Sequence, residues 1–146
     1  MFKRVLIPID GSPVASKAAK AGVAFAKALG AKVVSCYVVE ELRPAYRARG
    51  MVTQELIDEV NQSNLDRAQQ LVEKLGKVAT KAGVPFTPVV STGHRPHERI
   101  LAVAKQHKCD VIFMATHGRS GFSKLVMGSV TQKVLAHATL PILIYR

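Results

Sequence analysis

Tryptophan is absent from this chain of 146 residues, and aromatics make up 5% of it although 48% is hydrophobic. The core must therefore be built from Ala, Val, Leu and Ile rather than rings, and no aromatic platform for single-stranded nucleic acid recurs. Acidic residues are also scarce: 10 Asp and Glu stand against 21 Lys and Arg, a formal net charge of +11. Such an excess suits polyanions. The cations are nonetheless scattered, with no consecutive block and no basic tail, and this dispersal argues against nucleic acid as a partner. Cysteine occurs twice, as Cys36 and Cys109, each in or beside an apolar run and without C-x-x-C or zinc-ligand spacing. Buried thiols in a reducing compartment need no bridge. No apolar run is long enough to span a bilayer, so no membrane partner is expected. Met1-Phe2-Lys3-Arg4 leads straight into Val5-Leu6-Ile7, too short for a signal sequence and followed by turn residues. These features place the chain in the cytoplasm, and its length fits one domain, residues 1–146.

Neither G-x-x-x-x-G-K-[ST] nor G-x-G-x-x-G is present, which excludes the two commonest phosphate loops. A third arrangement occupies their place. The apolar run Val111-Ile112-Phe113-Met114 feeds Ala115-Thr116-His117-Gly118; nine residues later comes Gly128-Ser129, then the amphipathic segment Val130 to His137. Strand, glycine-bearing loop and helix start bring free backbone N–H groups and a positive dipole end to one point, where an anion is the natural guest. The alternative is an ordinary connection that uses glycine as punctuation.

The rest of the chain alternates strand and helix. Val5 to Asp10 reads as a buried strand, followed by a turn, an N-cap and an N1 proline at Gly11-Ser12-Pro13 and a helix to about Leu29 that Gly30 ends. Ala31 to Val39 is a second strand, and Gln54 to Ala82 carries apolar residues at helical spacing. Phe86 to Val90 is the third strand, with Ser91-Thr92-Gly93 as a turn; a helix covers Pro96 to Gln106, and Asp110 to Ala115 is the fourth strand. A helix over Ser129 to His137 and a strand over Pro141 to Tyr145 complete the order. Such alternation, with mostly continuous apolar strands, specifies an α/β fold: a doubly wound, open, five-stranded parallel sheet with helices on both faces, Rossmann-like. In the order 3-2-1-4-5 the topological reversal falls between strands 1 and 4, so Ile9-Asp10-Gly11 and Ala115 to Gly118 converge on one crevice. Pro8 conflicts with a central strand, since it cannot donate to the ladder, and suggests that pairing ends near it.

These residues resemble the universal stress protein family. Val5-Leu6-Ile7-Pro8-Ile9-Asp10-Gly11-Ser12 resembles its first strand and turn. Gly118, nine residues and Gly128-Ser129 resemble the latter part of its nucleotide motif: glycine, two residues, glycine, nine residues, glycine, then Ser or Thr. The first motif glycine is Ala115 here, which adds one methyl to the pocket wall. The resemblance implies a cytoplasmic protein that binds ATP, or AMP or ADP, with Mg2+, as a nucleotide-dependent sensor or regulator in stress response. A slow ATP hydrolase and a non-nucleotide interaction protein of the same fold are the alternatives. It further implies that Asp10 accepts hydrogen bonds from the ribose hydroxyls, the competing role being an Asx turn before Gly11. Pro8 and Ile9 would line the base pocket, and Val38 would offer a backbone contact to adenine or simply fill the core. Gly118, Gly128, Ser129 and Val130 would hold ribose and phosphates, with an N-cap as the other role for Ser129.

Within the loop, Gly121 belongs to the same motif style, and Arg119 and Lys124 would pair phosphates or stand exposed. His117 would be a phosphate donor, a base or a structurally bonded loop residue. Arg43, Arg47, Arg49 and Arg95 follow strands at the ligand edge as a candidate cationic rim. His94 and His97 lack further ligands for a metal, and no catalytic constellation is visible. The final strand, Pro141 to Tyr145, at a sheet edge with little charge, implies a homodimer.

Overall fold

The computed structural model describes residues 1–42, 45, 50, 52–118 and 127–146. The elements are β1 (Arg4–Ile9), α1 (Pro13–Leu29), β2 (Lys32–Val39), α2 (Gln54–Lys81), β3 (Phe86–Thr92), α3 (Pro96–Gln106), β4 (Val111–Ala115), α4 (Ser129–His137) and β5 (Ile142–Tyr145). All strand pairs are parallel, in the order β3-β2-β1-β4-β5. This is the doubly wound α/β sheet that the alternation of elements predicts.

The strand period of two sorts the core. Val5, Ile7, Val33, Val111 and Phe113 face one layer, with Ala19, Val23 and Ala26 of α1 and Leu75 and Ala79 of α2. Leu6, Val34, Cys36, Ile112 and Met114 face the other, with Ile100, Val103 and Ala104 of α3 and Val134 of α4. The inner strand β4 is buried throughout, whereas all four residues of the edge strand β5 are half-buried.

Most expected boundaries that move shift by one residue, and two of the shifts have a visible cause. β3 runs to Thr92 rather than stopping at Val90, because Ser91 and Thr92 stay in register with Val38 and Val39. Ser91 is buried, and its hydroxyl accepts a hydrogen bond from Arg99 Nε at 2.8 Å, so a polar pair that reads as a turn is satisfied inside the sheet. β4 begins at Val111, since the Asp110 carboxylate instead caps the start of β1, accepting from Lys3 N at 2.7 Å and Arg4 N at 3.1 Å.

Pro8 shows how the crevice opens. Lys3 O accepts from Lys32 N on the β2 side and Arg4 O from Asp110 N on the β4 side. Alternation therefore turns the even positions of β1 toward β4. The β1–β4 ladder stops at Leu6↔Ile112, while the β1–β2 ladder continues through Pro8↔Cys36 to Ile9↔Tyr37. The N–H that proline lacks would have pointed at β4, past the last pair. The strands part there, and pairing persists on the other side.

Candidate functional site

A cavity of about 340 Å³ lies in that parting, at the carboxyl ends of the strands. It falls in the size range of small-molecule sites. Its wall contains Pro8, Ile9 and Asp10 from β1 and the turn after it, Val38 from β2, and Ala115, His117 and Gly118 from β4 and the loop that follows. Gly128, Ser129 and Val130 complete the opposite side at the start of α4. Sequence positions more than a hundred residues apart thus share one concave surface. Arg119, Gly121 and Lys124 lie outside the described residues, as do Arg43, Arg47 and Arg49.

The local geometry explains why the glycines stand where they do. Neither Gly118 nor Gly128 has a positive φ. What both positions require is close approach. A Cβ on Gly118 would run into the Asp10 carboxylate, so the backbone after β4 passes directly over that side chain. A Cβ on Gly128 would meet His117 Cα at 3.1 Å, tighter than most real Cβ contacts, and Gly128 N donates to Thr116 O at 2.9 Å. The two ends of the intervening loop are therefore clasped together by backbone, beside Asp10. The Cβ direction of Gly128 points at His117 and the Gly118 amide.

Gly128 is also the N-cap of α4, in extended conformation and without a side-chain cap bond, and Ser129 is the first helical residue. Ser129 is thus not the N-cap. No side chain caps this helix, and its first turn, Ser129 to Thr131, lines the cavity with its positive dipole end. Thr131 Oγ1 donates to Ala115 O at 3.1 Å and fixes the helix start against the end of β4.

Asp10 makes the Asx turn considered for it and also borders the cavity. Oδ1 accepts from Ser12 N at 2.9 Å, an Asx turn that leads into α1, where Ser12 Oγ accepts from Ala15 N at 3.1 Å. The same carboxylate lines the cavity. His117 Nδ1 and the Thr116 hydroxyl share a hydrogen bond of 2.8 Å, which orients the ring. Arg95 does not join the wall; it is exposed and bonded to Glu98 Oε1 at 2.7 Å, and this bond holds the Glu98 carboxyl below its ordinary range. His97 pairs with the ring of His137, centroids 5.6 Å apart, rather than with His94. Among the described residues no group of three His, Cys, Asp or Glu is placed to hold a metal ion.

Several wall residues went unread in the sequence, although their positions carry a signal. Cys36 lies two residues before Val38 on the same face of β2, the strand period. Pro96 and Ile100 are one helical turn apart on α3. Glu40 follows β2 and Met114 precedes Ala115. Burial pushes the Cys36 thiol up to about 12, and Cys109, half-buried, up to about 11. Both are free thiols.

The wall is mixed in chemistry. Apolar Ile9, Val38, Ile100 and Met114 line it together with Asp10, the polar loop ends and the first turn of α4. A ligand with a flat apolar part and an anionic part suits such a surface.

The universal stress protein family model matches residues 1–146. A universal stress protein from Thermus aquaticus is 33% identical over 146 residues, covering 100% of both chains. The solved structure of the universal stress protein UspA from Lactobacillus plantarum superposes with a TM-score of 0.83 at 25% identity, covering 99% of this chain and 97% of that one. A universal stress protein from Archaeoglobus fulgidus solved in complex with dAMP shares the fold at 16% identity, TM-score 0.67, covering 100% and 98%.

Proposed function

The chain belongs to the universal stress protein family, and on that premise we propose that it is one nucleotide-binding domain that takes ATP or AMP in the cavity between β1 and β4. The observation that carries this reading is the convergence of Asp10, the clasped ends of the Gly118–Gly128 loop and the uncapped start of α4 around one cavity that apolar side chains also line. The dAMP held by the Archaeoglobus fulgidus neighbour is of the same ligand class.

In this reading the base lies against Pro8 and Ile9 and meets the backbone at Val38. The ribose hydroxyls donate to Asp10, whose second role in the Asx turn holds the carboxylate in place. Backbone N–H groups at Gly118, Ser129 and Val130, with the Ser129 hydroxyl, take the phosphates, helped by the helix dipole. Ala115 narrows the wall by one methyl, and His117, Arg119 and Gly121 belong to the phosphate side. Mg2+ would arrive on the triphosphate, as that ion retains water and phosphate ligands more readily than it enters a protein cage. The biological role that fits is a cytoplasmic, homodimeric regulator whose state follows adenine nucleotide in stress response, with slow hydrolysis as an accessory property.

The test is mass spectrometry of ligand released by denaturing freshly purified protein, followed by calorimetry with Mg-ATP. Copurified adenine nucleotide or saturable binding is expected. Absence of both would leave an interaction protein of the same fold, and phosphate release on the timescale of turnover would make it an enzyme.

A further inference from the structure

Cations dispersed along the sequence meet at the end of the sheet opposite the cavity. In a parallel sheet every strand starts at that edge, and α1, α2 and α3 end there. Lys3 precedes β1, Lys32 opens β2 and Lys108 stands before β4; Lys27, Lys81 and Lys105 lie in the last turns of α1, α2 and α3. All six are exposed. Backbone bonds hold them in neighbouring positions: Lys32 N donates to Lys3 O at 2.9 Å and Lys108 N to Lys105 O at 3.1 Å. The carboxylate at this edge, Asp110, accepts from the backbone of Lys3 and Arg4. Glu55 and Glu98 stand in the first turns of α2 and α3, at the other end.

Offsetting the negative ends of helix dipoles accounts for Lys27, Lys81 and Lys105. It does not account for Lys3 and Lys32, which begin strands. Lys108 points further. The three helices end in the same bonding pattern, with Gly30 N on Lys27 O, Gly83 N on Thr80 O and Lys108 N on Lys105 O. The left-handed residue is glycine after α1 and α2, at φ 64° and 73°. After α3 it is Lys108 at φ 51°, the one non-glycine residue with positive φ among the described residues. Glycine would adopt this conformation without strain, so the chain keeps a strained backbone where it gains a cation.

We propose that this lysine edge binds the phosphate backbone of duplex nucleic acid without reading its sequence. Lysine is depleted at protein–protein interfaces, where aromatics and Arg concentrate. A lipid surface is gripped through an apolar face with aromatic anchors, and the large hydrophobic most exposed at this end is Met1. Lysines alone suffice for phosphates, whose counterions they displace. The dispersal that argued against nucleic acid in the sequence is undone by the topology.

The experiment is fluorescence anisotropy of a labelled duplex titrated with the full chain between about 50 and 200 mM salt. Affinity is expected to fall linearly with salt on logarithmic axes. The triple variant Lys3→Gln, Lys32→Gln, Lys108→Gly should lose at least about tenfold and flatten the slope by about one per lysine. Lys17→Gln, Lys20→Gln, Lys133→Gln removes as much charge from other exposed positions and should bind as wild type. Lys108→Gly alone should weaken binding while raising Tm, an outcome that damage to the fold cannot produce. No binding at low salt, equal loss in the two triple variants, or binding to phosphatidylserine vesicles without binding to duplex would each overturn the proposal.

Discussion

Asp10 accepts from Ser12 N and, in the proposed reading, from a ribose, and a pair of substitutions separates the two roles. Asp10→Asn keeps an Oδ1 to accept from Ser12 N and removes the charge, whereas Asp10→Ala removes both. Asn should melt near wild type and bind ATP more weakly; Ala should lose Tm and weaken binding by about 1.5–3 kcal/mol, the value of hydrogen bonds to a charged group. Calorimetry and thermal melts read the two effects, and wild-type affinity in both variants would reduce Asp10 to a turn residue. For the glycines, spacing was legible in the sequence and cause was not. Motif spacing places Gly118 and Gly128, but only the fold shows that one passes over Asp10 and the other abuts His117. Gly128→Val should therefore abolish nucleotide binding by prising the loop ends apart, a displacement visible as lost affinity in a variant whose far-UV spectrum is unchanged. Cys36 gives a pH prediction. Its folded pKa, about 12, lies above the ordinary thiol value of about 8.5, so burial of the neutral thiol is fully stabilising below that value. Stability should fall as pH rises from about 8.5 toward about 12, and Cys36→Ala should flatten that decline in denaturant titrations.

At the level of elements, the local rules and the fold agree wherever one signal dominates. Ser12-Pro13 starts α1 and Gly30 ends it, since N-cap, N1 proline and left-handed C-cap are short-range devices that the sequence displays directly. The helices Pro96–Gln106 and Ser129–His137 also keep their expected bounds, although neither has a side-chain N-cap or a left-handed C-cap and only the first has the N1 proline. β3 was misread at its end because Ser91 is satisfied by Arg99, a partner eight residues away that no local pattern shows. The cavity was legible to the extent that topology implied it: the switch point placed β1 and β4 side by side, while the wall contributed by α3 depended on how that helix packs. Ala115 tests the interplay of element and site. It is buried, lies at the end of β4 and accepts from Thr131 through its carbonyl, which a glycine retains. Ala115→Gly should tighten ATP binding by removing the methyl from the wall and lower stability by about 0.5–1 kcal/mol through backbone entropy. Equal ATP affinity in the two proteins would show that the methyl does not restrict the pocket.

On the scale of the whole molecule, the open question is what covers β5. Its four residues are all half-buried, in contrast to the fully buried β4 beside it, so the sheet ends in an apolar strand that the monomer covers incompletely. Pro141 O accepts from Ile112 N and Tyr145 O from Thr116 N, which turns the odd positions toward β4. The N–H and C=O groups of Ile142 and Ile144 therefore point outward, unpaired by β4, as an edge ready for another strand. A second copy meeting it under two-fold symmetry would pair antiparallel and close the assembly at two chains. Charge at Ile142 or Ile144 is a poor test, because both side chains pack against the core formed with α3 and α4 and lysine there would damage the monomer. Proline is better. It removes one outward donor, leaves the β4 ladder intact and suits an extended edge strand. Wild type should sediment as a dimer, and Ile144→Pro should sediment as a folded monomer with little change in circular dichroism. A wild type that stays monomeric at high micromolar concentration, or a folded Ile144→Pro that remains fully dimeric, would remove β5 from the interface.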